Sequence, residues 1–141
     1  MIRTTKFASL VLVATGCMLG CGETGPFEYQ PVSGKITYED GQPISPSGLQ
    51  LYFAAQVESP DGEAFPRVAM AHVDGAGEFK AVTSYKYGDG LIPASHKVTI
   101  KVGPAPGGKL PVPKEYAEAQ TTPLVVDSAG KDYIEIKVPR P

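Results

Sequence analysis

Ser95-His-Lys-Val-Thr-Ile-Lys-Val102 decides how this chain is read. Polar and apolar residues alternate through it without a break, which is the period of an extended strand with one face buried. His96, Val98, Ile100 and Val102 fall on the inward face, and Ser95, Lys97, Thr99 and Lys101 on the face turned to water. The same period recurs on both sides of it. Val32, Gly34, Ile36 and Tyr38 share one face of residues 32–38, with Ser33, Lys35 and Thr37 on the other; Leu49, Leu51 and Phe53 share one face of residues 49–55. Residues 68–73, Val-Ala-Met-Ala-His-Val, are apolar on both faces and are expected to be a central strand. Asp74-Gly-Ala-Gly77 reads as a tight turn joining them to residues 78–83 in a hairpin, with glycine supplying a positive φ that β-branched residues avoid. Residues 124–126 and Tyr133–Val138 complete the set, and residues 114–119 hold one helical turn at most.

These segments, about seven in number, are short and separated by turns rich in the chain's 16 glycines and 14 prolines. The expected fold is all-β, a single, approximately seven-stranded β-sandwich of immunoglobulin-like architecture spanning residues 31–138. Residues 21–30 have no period and read as a tether.

The N-terminus has a different character. Arg3 and Lys6 form a basic flank, no acidic residue occurs before Glu23, and residues 7–19 are apolar or small. That run falls short of the roughly 20 apolar residues a membrane-crossing helix needs, and fits the core of an export signal. Ala14-Thr-Gly-Cys17 and Met18-Leu-Gly-Cys21 each place glycine before cysteine. Both resemble the lipobox of bacterial lipoproteins, in which the cysteine is diacylated with palmitate-type chains and becomes the new N-terminus. Neither carries the Leu usual three positions before the cysteine. Cys21 is the expected site, because it allows the longer apolar run and precedes the polar Gly-Glu-Thr-Gly stretch; Cys17 is the alternative. Cleavage before Cys21 removes residues 1–20 and with them Cys17, so no disulfide is expected to hold the domain. Each buried methylene of an anchor contributes about 0.8 kcal/mol, and two acyl chains hold where one binds only reversibly.

The turn and core segments also resemble a known family. Val32-Ser-Gly-Lys-Ile-Thr with Asp40-Gly-Gln-Pro, Val73-Asp-Gly-Ala-Gly-Glu-Phe79, Gly88-Asp-Gly before the strand at 95, Val112-Pro-Lys-Glu-Tyr116 with Thr121-Thr, and the closing Ile-Glu-Ile-Lys-Val are similar to the carboxypeptidase regulatory-like, transthyretin-like lipoproteins. The likeness spans residues 31–138. It implies a transthyretin-like sandwich displayed in the cell envelope, lipid-anchored outside the cytoplasmic membrane in the periplasm or the outer-membrane leaflet. Where that family places Pro-Gly-Xaa-Tyr, this chain has Pro93-Ala-Ser-His96.

The sequence lacks the patterns of catalysis. His72 and His96 are its only histidines, and neither opens a His-x-x-Glu or His-Glu-x-x-His zinc motif. No Gly-x-Ser-x-Gly elbow occurs. The transthyretin-like hydrolases end in a Tyr-Arg-Gly-Ser-type tail, whereas this chain ends Val138-Pro-Arg-Pro. Gly103-Pro-Ala-Pro-Gly-Gly-Lys109 imitates a phosphate-binding loop, but Leu110 replaces the required Ser/Thr and prolines remove backbone donors. The Asp74–Glu78 turn offers two carboxylates to Ca²⁺, far from the six to eight oxygens that ion takes. No catalytic residue, metal site or cofactor is therefore expected. Removing Arg3 and Lys6 lowers the basic count from 13 to 11 against 15 acids, a net charge of −4, and no basic block exists, so nucleic acid is not an expected partner.

The functional expectation is a non-catalytic envelope module that contacts envelope proteins or polysaccharide. Tyr85, Tyr87 and Asp89, in Tyr85-Lys-Tyr-Gly-Asp-Gly90, form the expected contact patch. A small-ligand carrier and a transthyretin-related hydrolase are the alternatives. The anchor is tested by intact mass. Membrane-extracted protein should begin at Cys21 and carry a diacylglyceryl adduct that Cys21→Ala abolishes; loss of the adduct only in Cys17→Ala moves the site to Cys17.

Overall fold

The computed structural model describes residues 25–44, 48–103 and 108–141. The segment expected to be an export signal, both cysteines and residues 104–107 of the phosphate-loop lookalike lie outside the described residues. Within them the chain is all-β, with no α-helix. It forms the strands β1 (Ser33–Tyr38), β2 (Gln50–Ala55), β3 (Ala69–His72), β4 (Glu78–Phe79), β5 (Ser95–Lys101), β6 (Val125–Asp127) and β7 (Tyr133–Val138). One sheet has the order β4-β1-β7 and the other β3-β2-β5-β6. Their apolar faces meet in a single core. Ile36, Phe79, Ile134 and Ile136 from the first sheet pack with Leu51, Phe53, Val98 and Ile100 from the second. The Phe53 and Phe79 rings join the two layers, with centroids 6.1 Å apart. Full burial of side chains this size stabilises by roughly 1.5–3 kcal/mol each, which is why the alternation commits each strand to one facing.

The antiparallel register of β2 and β5 sets Phe53 opposite Val98 and Leu51 opposite Ile100. His96, Val98 and Ile100 are buried as the alternation requires, and Ser95 and Lys101 are exposed. Thr99 departs from the expectation. It lies on the outer face yet is only 7% exposed. Its cross-strand neighbour on that face is Tyr52, and a single 3-10 turn at Lys114–Ala117 packs against β5. The Lys101 ammonium, two residues on, donates to the Ala117 carbonyl, which ties that turn down. Strand period assigns a face but not what later covers it.

Two further expectations are corrected. Residues 68–73 do not form a central strand, because β3 is an edge of its sheet, paired with β2 alone. Its lack of polarity has another cause. Ala69 and Ala71 face the core, while the returning chain lies along the far edge, where Met70 and Thr83 exchange two backbone hydrogen bonds of 2.9 Å. The Asp74–Gly77 segment is indeed a tight turn, closed by Asp74 N–H to Glu78 carbonyl at 2.8 Å. Its arms, however, do not build a hairpin ladder: β3 joins one sheet and β4, only two residues long, crosses to the other and pairs with β1. The Asp74 carboxylate accepts the N–H groups of Ala76 and Glu78, both at 2.9 Å, and these hold its pKa below the usual carboxylate range.

β1 and β7 pair in parallel over six residues, from Ser33 opposite Tyr133 to Tyr38 opposite Val138. Parallel neighbours cannot be joined by a tight turn, so this pairing draws together the two ends of the domain. β1 is the central strand of its sheet, and Gly34 is its tightest point. A Cβ there would stand 2.1 Å from the Ile134 carbonyl oxygen and 2.4 Å from the Phe79 ring. Gly34 is thus glycine for lack of space. Gly75, in the exposed turn, has nothing within 4 Å of a Cβ. Gly34→Ala should lower the unfolding free energy by about 3 kcal/mol, the upper end for overpacking a full interior. Gly75→Ala should stay neutral or gain up to roughly 1 kcal/mol from a stiffer unfolded chain. Urea melts of the two variants check both.

Candidate functional site

An open groove of about 1230 Å³ lies among the described residues. It is built by three segments that carry no regular structure. Phe27 and Tyr29 come from the stretch entering β1, Phe65 and Arg67 from the loop between β2 and β3, and Tyr85 from the loop after β4. Phe65 is 73% exposed and Tyr85 55% exposed, large areas for aromatic side chains to leave open to solvent. The Arg67 guanidinium lies over the Tyr85 ring, 4.7 Å from its centroid, a cation–π arrangement that pre-positions both groups. The Tyr29 hydroxyl has its pKa raised, first by burial and then by the Asp89 carboxylate, with Arg67 opposing. It stays a neutral donor throughout the physiological range.

The groove wall at Tyr85 is held by Asp89. Its Oδ1 accepts the Ser84 N–H at 2.7 Å, and its Oδ2 accepts those of Tyr85 at 2.9 Å and Lys86 at 2.8 Å. Burial alone would raise its pKa, but the N–H groups of Lys86, Ser84 and Tyr85 outweigh that and hold it below the usual carboxylate range. The Ser84 hydroxyl closes the loop by donating to the Gly90 carbonyl at 2.6 Å. The entering stretch is pinned as well: Gln30 and Leu91 exchange backbone hydrogen bonds of 2.9 Å, and the Gln30 side-chain amide donates to the carbonyls of Ser128 and Lys131.

The three residues singled out from sequence therefore have three different situations. Tyr85 lines the groove with its ring, Asp89 also lines it while its carboxylate accepts the N–H groups of its own loop, and Tyr87, 92% exposed, is not part of the lining. The groove's other members, Phe27, Tyr29, Phe65 and Arg67, are not among the residues that sequence reasoning selects. Their only signal in sequence is aromatic residues beside proline, in Pro26-Phe-Glu-Tyr29 and Phe65-Pro-Arg67, inside segments otherwise typical of polar loops.

The histidines are not a pair. His72 is exposed at the edge, opposite Gln50 at one end of β2; His96 is buried opposite Ala55 at the other end. Five residues of strand separate those positions, roughly 17 Å. His96 is 2% exposed. Its Nε2 donates to the Ile92 carbonyl at 2.9 Å, and that carbonyl also accepts the buried Ser128 hydroxyl at 2.8 Å. Nδ1 is buried and has no hydrogen-bond partner among the described residues; the ring stands edge-on to Phe53, with centroids 6.3 Å apart. Among the described residues no three His, Cys, Asp or Glu side chains group closely enough to hold a metal ion.

Comparison with protein-family models, with curated proteins and with solved structures finds no match to this chain.

Burial of His96 makes stability depend on acid in a stated direction. Desolvation lowers its pKa below the ordinary value, and the Ile92 hydrogen bond offsets this only in part. The unfolded chain then binds a proton that the folded chain refuses. The contribution is whole above about pH 6.5, the unfolded value, and is lost as pH falls from there through the folded value. Urea midpoints of the wild type should fall between about pH 7.5 and about pH 5.5, a window that brackets that unfolded value. His96→Leu should flatten that limb, because it removes the titrating ring while the Ile92 carbonyl keeps its bond from Ser128.

Proposed function

We propose that this chain is a lipid-anchored cell-envelope module, a transthyretin-like sandwich of the carboxypeptidase regulatory-like kind, with a non-catalytic binding role exercised through the groove between Phe27, Phe65 and Tyr85. The observation that carries the reading is the Arg67–Tyr85 stack set among exposed aromatic rings on loops pinned from behind. Aromatic faces and a guanidinium suit the flat apolar faces and acidic groups of an envelope polysaccharide or a protein loop. The reading is supported by position too. Gly25 to Tyr29 run along the groove, so the segment that leads back to the anchoring cysteine reaches the domain at the groove. The parallel pairing of β1 with β7, and the crossing of the chain between sheets at Asp74–Gly77, agree with a transthyretin-like arrangement. A carrier would need its ligand between the sheets, where Phe53, Phe79 and Leu91 are completely or almost completely buried against one another's layer.

The test is co-sedimentation of the purified full chain in detergent with isolated, protein-free envelope polysaccharide. Arg67→Ala with Tyr85→Ala should weaken binding by roughly 30-fold, the equivalent of about 2 kcal/mol for loss of an anchor pair. Tyr87→Ala, outside the groove, should change it less than about twofold. Equal binding by all three proteins, or none by the wild type, rejects the groove as a polysaccharide site.

A further inference from the structure

The four sheet edges are not alike. β4 is two residues long and β6 three, and β3 has the returning chain bonded along it at Met70 and Thr83. β7 is different: six residues, paired with β1 on one side and with nothing on the other among the described residues. The register fixes which of its groups are free. Ser33 N–H bonds the Asp132 carbonyl at 2.9 Å and Glu39 N–H bonds that of Val138 at 3.0 Å. The even-numbered residues 134, 136 and 138 therefore face β1, and the N–H and C=O groups of Tyr133, Glu135 and Lys137 point outward. The same three residues have exposed side chains on the outer face, while Ile134, Ile136 and Val138 are buried.

We infer that this edge pairs with the β7 edge of a second copy of the chain, antiparallel and centred on Ile136. The charges select that register. With Ile136 of one copy opposite Ile136 of the other, each Glu135 faces a Lys137 and each Lys137 a Glu135. Sliding by one pair in either direction sets Glu135 against Glu135, or Lys137 against Lys137, and like charges directly opposite are unfavourable. Odd shifts turn buried Ile134 and Ile136 to the outer face. Among these registers the centred one alone satisfies both constraints. It also makes Glu135 and Lys137 hydrogen-bonded pairs, which uses their free backbone groups, and continues the apolar face as Ile134 opposite Val138 on both sides of the axis. Tyr133 N–H meets the carbonyl of Pro139, and Pro139, which has no N–H, ends the ladder. The contact is isologous and leaves no second β7 edge open, so it stops at a dimer in which the two three-stranded sheets become one.

Light scattering on the full chain in detergent micelles tests this, at protein concentrations up to about 100 µM so that a weak pair is still seen. The wild type should be a dimer. Glu135→Lys and Lys137→Glu should each be monomers that keep the wild-type circular-dichroism spectrum, since both side chains are exposed. An equimolar mixture of the two variants should regain the dimer, because one variant then brings two lysines to the edge and the other two glutamates, and every pair across the axis is of opposite sign. The double variant Glu135→Lys with Lys137→Glu should also dimerise. A monomeric wild type at the highest concentration, a dimer that either single variant leaves intact, or a mixture that stays monomeric overturns the inference. None of these outcomes depends on polysaccharide binding at the groove.

Discussion

The parallel ladder between β1 and β7 is the constraint on which the rest of the structure depends. It joins strands about a hundred residues apart, so its loop-closure cost falls on the whole chain and is offset only when the intervening strands have packed. Gly34 sits where that ladder meets β4, with Ile134 on one side and Phe79 on the other. Phe79 in turn touches Phe53 of the opposite sheet. One residue without a side chain thereby lets three strands and two layers approach. The same sheet is closed at its far end by Arg140, whose guanidinium meets the Asp40 carboxylate at 2.8 Å and stacks 4.1 Å from the Tyr38 ring.

The facings of the long strands are legible in sequence because burial penalises a one-residue slip at every position at once. Leu49, Leu51 and Phe53, and His96, Val98 and Ile100, are buried as the alternation predicts. What alternation does not carry is the pairing between strands. The hairpin reading of Asp74–Gly77 rests on turn chemistry, and that chemistry is present in the Asp74 carboxylate and the positive φ of 79° at Gly77. Turn chemistry fixes the reversal of the chain but not whether the arms stay in one sheet. The central-strand reading of residues 68–73 fails for a related reason: apolar residues on both faces report cover, and here the cover comes from Thr83 and its neighbours and not from a second pairing strand. Thr99 reports the same thing from the other direction, a polar residue buried by a turn that comes later in the chain.

The candidate site is less legible than the fold, for a physical reason. Period-two patterning describes segments that form ladders, whereas the groove is made of three loops whose only shared property is nearness in space. Tyr85 stands out because it opens Tyr-Lys-Tyr just before the Gly88-Asp-Gly90 turn; Arg67 does not, because a single Arg after proline is ordinary loop composition. What makes Arg67 significant is the ring it meets at 4.7 Å, a fact of the tertiary structure. Asp89 illustrates the converse. An exposed-looking acid between glycines reads as a contact residue, yet three backbone N–H groups already occupy its oxygens. Its role is to order the loop that presents Tyr85, which reduces the entropy a ligand would otherwise have to freeze out on binding.

The roles proposed for the groove and the β7 edge divide the surface between two kinds of recognition. Loops present side chains whose identity can change without disturbing a ladder, so the aromatic groove is where specificity for a ligand belongs. An edge strand presents backbone groups, which are the same in every protein, and its specificity has to come from the few side chains beside them. Glu135 and Lys137 are such side chains. Either charge alone would only discourage edge pairing, as charges on sheet edges commonly do. Placed two residues apart with opposite sign, and flanking Ile136 as the centre of symmetry, they discourage the registers on either side of the one in which two identical edges satisfy each other.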